Sequence, residues 1–393
     1  MSLCIAVSLQ SDYSLAIMPL LDRLSRFAIP FSVIKSFLGQ KLYLQGLAVL
    51  AGLYYFASRR KVEKVFFPLF IMIGLNFLVA PFYDHLIPTY IRLFQFLAML
   101  GLCHYFWKVF DFKYLPNLLL SWEIISTVFL FIELLLNRPG GTHWLFTSIW
   151  RLNLLVGEPN FSSLLLIVVF LIRSERRQYH FSLWNLGLIF MAGSRTAIAV
   201  VLVYLILKAF QKLKNTKIWS QAFRISLILL ILSPFVMRGM NRFLSDDIKR
   251  ALIKTTSNRY YIHQIYIDMS IKNPFGVGYF NGYNQYPKHL VRFDNYLKQD
   301  LDILSGTQLA EQHNAYIQTL SEFGWPGLIL LWFFLVKLYL RIEKNNKRQL
   351  PAYLSLLVFI NFLNIFNEVA FYLMLAYLLQ ESEDSSSTAE LST

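Results

Sequence analysis

The stretch Trp325-Pro326-Gly327-Leu328-Ile329-Leu330-Leu331-Trp332-Phe333-Phe334-Leu335-Val336-Lys337-Leu338-Tyr339-Leu340-Arg341 carries one charge, Lys337, before it ends on Arg341. Apolar residues on every side of a helix leave no polar face for water, so the run reads as a membrane span. On its C-terminal side stands a basic group, Arg341, Lys344, Lys347 and Arg348. On its N-terminal side lies a polar segment of 87 residues, 238–324, with ten Lys/Arg and eight Asp/Glu. A basic edge, an apolar run and a mixed-charge loop make the elementary unit of a membrane protein with one large loop. The whole 393-residue chain agrees: 56% of its residues are hydrophobic, 17% aromatic and only 15% charged, and its mean hydropathy is +0.47. That is too apolar for an ordinary soluble domain.

Further apolar runs lie at 41–58, 65–82, 91–108, 115–136, 160–173, 181–193, 196–210, 220–237, 351–366 and 368–381. With 325–341 they predict an all-α polytopic membrane protein of about 11–12 transmembrane helices. Several runs fall short of the roughly 20 residues that cross a 30 Å core, so some tilt, extend or re-enter. Residues 1–40 form a further span or an interfacial helix, and with Arg23 as their first basic residue they make a poor signal peptide. Basic clusters at Arg59-Arg60-Lys61 with Lys64, Lys108 with Lys113, Arg173 with Arg176-Arg177, Lys208 to Lys217, and Arg341 to Arg348 mark alternate connections as cytoplasmic. The connections at 83–90, 137–159, 193–196 and 238–324 then fall outside. The expected organisation is an N-terminal bundle (1–237), an extracytoplasmic catalytic loop (238–324), C-terminal transmembrane helices (325–381) and a disordered cytoplasmic tail (382–393).

The net charge of +14 is therefore topology. Its basic residues edge the spans and form no basic, aromatic-laced soluble face, so nucleic acid is not an expected partner. Cys4 and Cys103, the only cysteines, are far apart and imply neither a disulfide framework nor a zinc site.

Within the outer loop, Ser257-Asn258 caps a helix from Arg259 to Asn273-Pro274. Arg259 then lies in the first turn, where a cation opposes the helix dipole; a bound anion gives that placement a reason, and a solvated surface Arg is the plainer reading. The pattern recurs at Gly193-Ser194-Arg195-Thr196, where Ser194 caps the 196–210 span and Arg195 opens it on the outer side, against the usual bias. The glycines of Asn273-Pro274-Phe275-Gly276-Val277-Gly278-Tyr279 allow a tight turn and a close approach of backbone to ligand. Thr307 is expected to cap a helix running to Phe323, with Gly324 as its left-handed terminator and Pro326 preventing continuation. In that helix His313 shares a face with Tyr316, Ile317 and Leu320; a lone helical His is more often structural than catalytic, but its imidazole suits proton transfer near neutral pH. Asn314 can orient that ring or a substrate hydroxyl, whereas Glu311 and Glu322 read as surface carboxylates. In Gly157-Glu158-Pro159-Asn160, Pro159 or Asn160 starts a span and Glu158 can hydrogen-bond sugar hydroxyls at the outer interface.

Taken in order, Glu158-Pro159-Asn160, Ser194-Arg195-Thr196, Arg259 with Asn273 to Gly278, and His313-Asn314 followed after nine residues by Gly324-Trp325-Pro326-Gly327 resemble the O-antigen ligase and O-antigen polymerase superfamily. The resemblance covers roughly residues 150–345. It implies a GT-C-like membrane glycosyltransferase in the bacterial cytoplasmic (inner) membrane, acting at the outer face on an undecaprenyl-diphosphate-linked glycan. Arg195 and Arg259 would hold the diphosphate and His313 would take the proton of the acceptor hydroxyl. No metal or other cofactor is implied, and the anomeric centre would invert. The implied partners are the lipid-linked donor, an acceptor glycan or glycolipid, membrane lipids and a chain-length regulator protein. The Glu-Pro-Asn form looks more like the polymerases and the His-Asn-x9-Gly-x-x-Gly spacing more like the ligases; polymerase is favoured.

A different class, a polysaccharide transporter or flippase, draws on Glu123, Glu133 and Glu368, carboxylates inside apolar runs with no evident basic partner. A scaffold whose outer loop binds glycan is a third reading.

Overall fold

The computed structural model describes residues 63–82, 86–108, 110–135, 159–192, 194–211, 259–290, 314–361 and 369–390, with isolated positions between 221 and 248. The apolar run at 41–58, most of 220–237, and Ser257, Asn258, Thr307 and Glu311 lie outside them. Among the described residues there are helices and turns and no strand. The helices are α1 (Phe67–Val79), α2 (Leu86–Lys108), α3 (Leu115–Leu135), α4 (Pro159–Glu175), α5 (Tyr179–Ala192), α6 (Arg195–Gln211), α7 (Arg259–Lys272), α8 (Gly282–Leu290), α9 (Ala315–Glu322), α10 (Gly324–Asn345), α11 (Leu350–Ile360) and α12 (Val369–Glu390). The apolar runs from 65 to 210 each became a helix, with bounds within a few residues of the expected ones.

Two helices, α2 at 23 residues and α10 at 22, are long and apolar enough to cross a membrane. Phe67–Phe82 and Thr196–Gln211 are shorter apolar helices. Helix surfaces are apolar too. On α1, Phe67, Ile71, Leu75 and Leu78 are exposed along one stripe while Leu69, Met72, Ile73 and Asn76 are buried on the other side. Exposed Ile329, Trp332, Phe333 and Leu340 repeat the pattern on α10.

The chain forms two compact units, both discontinuous in sequence: one includes Leu97–Leu202 and Glu368–Glu381, the other Val62–Phe96, Val203–Asn367 and Ser382–Thr393. In the first unit, α4 and α5 form a hairpin. Arg177, at φ 60°, makes its turn, and Gln178 N donates to Arg173 O at 2.9 Å. Inside lies a buried ion pair. Arg173 Nη1 donates to Glu123 Oε2 on α3 at 2.9 Å and to Asn185 Oδ1 on α5 at 2.6 Å, and Nη2 donates to Pro116 O at 3.2 Å. Asn185 Nδ2 closes the ring on Glu123 Oε1 at 2.8 Å. Glu123 thus has the basic partner that the sequence did not reveal, because fifty residues separate the two in the chain. A charge that costs heavily alone is tolerated when its lone pairs and protons are all engaged. The side chain of Glu133 and the whole of Glu368 lie outside the described parts.

In the second unit, α1 packs along α10. Phe66 stacks on Phe334 at 6.2 Å and Asn76 bonds to Glu322 O at 2.9 Å, so the two helices run antiparallel. Tyr353 on α11 donates to Leu335 O at 2.8 Å. The acidic, serine-rich stretch expected to be disordered continues α12 as helix to Glu390. The apolar start of α12 supplies the costly nucleus, and propagation through the tail then adds one bond per residue. Arg341 Nε donates to Ser382 Oγ in that stretch at 3.3 Å.

Candidate functional site

The polar part of the second unit is built on α7, which starts at Arg259 and stops at Lys272, as the sequence suggested. Asn273 ends it: its main-chain N and its Nδ2 both donate to Met269 O, at 2.9 and 3.0 Å. The loop after it then crosses the end of α9. Val277 N donates to Ser321 O at 3.0 Å, Gly278 N to Glu322 O at 3.1 Å, and Trp325 N to Pro274 O at 2.9 Å. The first two satisfy carbonyls that the C-terminus of α9 leaves open, and the third an N–H in the first turn of α10. Gly276 and Gly324 sit at φ 83° and 72°, and a Cβ on either would strike the other segment's backbone. The close approach that the glycines permit is therefore to the chain's own backbone, not to a ligand as expected.

Asn76 on α1 locks the crossing. Its Nδ2 donates to Glu322 O, and its Oδ1 accepts from Tyr279 N at 2.8 Å. Tyr279, Phe96 and Phe323 pack their rings together beside it, with centroids 5.0 to 6.2 Å apart. Sequence reasoning passed over Asn76; one amide in an otherwise apolar run was the available signal, since a buried amide demands partners.

The expected helix from Thr307 to Phe323 is interrupted at Asn314. Asn314 is extended, and its Oδ1 accepts from Tyr316 N and Ile317 N at 2.9 and 3.0 Å, the arrangement of an N-cap. Its Nδ2 donates to Asn361 O at 2.8 Å. α9 therefore begins at Ala315, one residue after the cap. Gly324 is left-handed as expected, but Pro326 lies in the first turn of α10, where a missing N–H costs nothing. Glu322, expected at the surface, is buried and accepts from Gln318 Nε2 at 2.9 Å.

α7 and α9 pack side by side with their C-terminal ends joined, so they run in the same direction. Their N-terminal ends, where Arg259 and Asn314 stand, therefore share the opposite end of the pair. Arg195 opens α6, with Ser194 Oγ accepting from Ala197 N at 3.3 Å as the sequence suggested. The side chains of Arg195 and Arg259 and the whole of Glu158 and His313 lie outside the described parts.

A third polar group ties α7 to α8. Lys272 Nζ lies 2.6 Å from Asp268 Oδ2 and 3.4 Å from His289 Nδ1, and His289 Nδ1 lies 3.7 Å from Asp268. Burial pushes the Asp268 carboxyl up, but its bonds and charge interactions with Lys272 and His289 outweigh this and hold it below the usual value. Nearby, the Tyr286 ring packs tilted against Tyr266 at 5.5 Å, and burial pushes its phenol up to about 12.

Residues 180–332, from α5 into α10, match the family model described as O-Antigen ligase. No curated protein and no solved structure matches the chain. The matched segment contains the glycine crossing and the Asn314 cap, and over these residues the chain is similar to the O-antigen ligase family.

Proposed function

We propose that the protein is a multi-pass glycosyltransferase of the bacterial inner membrane, moving a glycan from a polyprenyl diphosphate to an acceptor sugar hydroxyl on the outer side. The family match over 180–332 carries this reading. The second unit supports its orientation. The C-terminal end of α1 and the N-terminal ends of α2 and α10 meet the loop at 273–281, whereas Lys344 lies in the last turn of α10. Basic ends mark the cytoplasmic side, and α7, α8 and α9 belong with the other ends.

In this reading the acceptor oxygen attacks the anomeric carbon, the bond from that carbon to the diphosphate oxygen breaks with its electrons leaving on the diphosphate, and His313 takes the hydroxyl proton. The anomeric centre inverts. Arg195 and Arg259 offset the charge that develops on the leaving group, the role a divalent cation fills elsewhere. Glu158 hydrogen-bonds acceptor hydroxyls. Asn314, its side chain engaged in the cap, is a positioning residue that fixes the direction in which the chain leaves residue 313. In the polymerase reading, favoured by Glu158-Pro159-Asn160, the acceptor is a second lipid-linked glycan; the spacing from His313-Asn314 to Gly324 and Gly327 favours a ligase using a lipid A core.

The test is His313→Ala in isolated membranes. Glycan transfer should fall by about 10²–10⁴-fold with insertion unchanged, and full activity would remove His313 from the mechanism. A deletion strain separates the acceptors: single repeat units on the final acceptor indicate a polymerase, and long chains stranded on the carrier a ligase.

A further inference from the structure

Arg92 lies in the second turn of α2, at the end away from Lys108. Its guanidinium is half-buried and held on two sides. It sits 4.1 Å from the centre of the Phe280 ring, and Nη1 donates to Gln95 Oε1 at 3.0 Å. Both neighbours are neutral. Among the described residues no carboxylate pairs with it, so its charge stands uncompensated and its other N–H groups are unused.

Phe280 is held in an unusual backbone state. Its φ is 64°, a left-handed conformation that costs a bulky residue of order 1–3 kcal/mol and persists only where the surroundings impose it. Here the flanking residues impose it: Tyr279 N is bonded to Asn76, and Asn281 Nδ2 donates to Val277 O at 2.9 Å. The strained residue carries the ring under the guanidinium, and stacking fixes a group that on an exposed helix would sweep freely.

The surface beside this fixed cation is apolar. Ile87, Ile91 and Phe94 follow one stripe of α2 and are all exposed, at 71%, 54% and 53%. A planar cation with free donors beside an apolar stripe matches an amphiphile with an anionic oxygen head and a hydrocarbon tail, and matches a free anion poorly, since a free anion has no use for the stripe.

We propose that Arg92 and Phe280 form a seat for the phosphate of a membrane lipid, with its chain along Ile87, Ile91 and Phe94. The head is either a phospholipid headgroup or the diphosphate of a polyprenyl carrier; both present the same oxyanion to the guanidinium. The seat lies at the loop end of α7, away from Arg259. It rests on α2 spanning the membrane and not on the chemistry assigned to His313.

The test uses the full chain in a phosphate-free detergent, titrated with phosphatidylglycerol, with undecaprenyl diphosphate, and with uncharged diacylglycerol as the reference for tail binding. Arg92→Gln should weaken one of the two phosphate lipids by about tenfold or more and leave diacylglycerol unchanged, the loss expected for one charge-assisted contact. Arg92→Lys, which keeps the charge and loses the stacked planar fork, should fall between Arg92→Gln and the parent chain. Whichever phosphate lipid responds identifies the head. Equal affinities of Arg92→Gln and the parent chain for both would overturn the seat, as would a parallel loss for diacylglycerol. Inactivity of the parent chain toward a polyprenyl diphosphate glycan would instead count against the proposed reaction, and the phosphatidylglycerol titration would still decide the seat.

Discussion

Two buried polar clusters organise this protein and solve the same problem differently. In the first unit Arg173, Glu123 and Asn185 answer one another with side-chain charge. In the second, Asn76 and three left-handed glycines join α1, α7, α9 and α10 almost wholly through backbone groups. The charged cluster engages both Glu123 oxygens and the Asn185 carboxamide internally, so it reads as a fastening between helices. That weakens the transporter reading, which drew on Glu123 as an unpaired carboxylate. The neutral cluster fixes backbone positions instead.

Substitutions test the contrast, beginning with the largest effect. Glu123→Ala leaves Arg173 buried and uncompensated and should cost about 3–5 kcal/mol in thermal or denaturant unfolding of the purified protein. Pairing it with Arg173→Met should restore much of that loss. A stable Glu123→Ala protein would break the comparison at its charged end. Gly276→Ala meets both a positive φ and the Glu322 backbone, and should cost about 2–4 kcal/mol; unchanged unfolding would mean the crossing can open without penalty. Asn76→Ala orphans the Tyr279 N–H and should cost about 1–3 kcal/mol, with hydrogen exchange at Tyr279 accelerating first.

The smallest effect is a pH dependence at Asp268. Its folded pKa is lowered, so its contribution is present above the unfolded value of about 3.9 and is lost as pH falls through the folded value. Unfolding followed from pH 7 down through 3 should show α8 loosening at the acid end, and Asp268→Asn should remove that dependence. An unchanged acid profile in the variant would assign the loosening to another group.

Where residues near in sequence set a feature, it was legible: the start of α7 at Arg259, Ser194 capping α6, and left-handed Gly324 all follow from a few neighbouring residues. Long-range partners were not. Asn76 meets Glu322 across 246 residues, and Arg173 meets Glu123 across fifty; nothing in either local pattern names its partner. The expected continuity of the helix through Asn314 failed for another reason. Its apolar period favoured continuation, but an Asn carboxamide competes for the N–H groups of the following turn and won at Asn314. The glycine pair announced a close approach without saying to what.

Because α7 and α9 are joined at one end and run the same way, they form a fork with unequal prongs. α7 has 14 residues and α9 has 8, so the long prong overshoots the short one by about 9 Å at 1.5 Å per residue. Asn314 stands one residue before the short prong, so with axes roughly 8–10 Å apart Arg259 and Asn314 begin about 11–12 Å from each other. Asn314 uses its carboxamide on its own helix start and on Asn361, so the step between the prongs is one of backbone level. The stem of the fork is clamped by glycine and Asn76, so any movement within the pair has to come from the prongs.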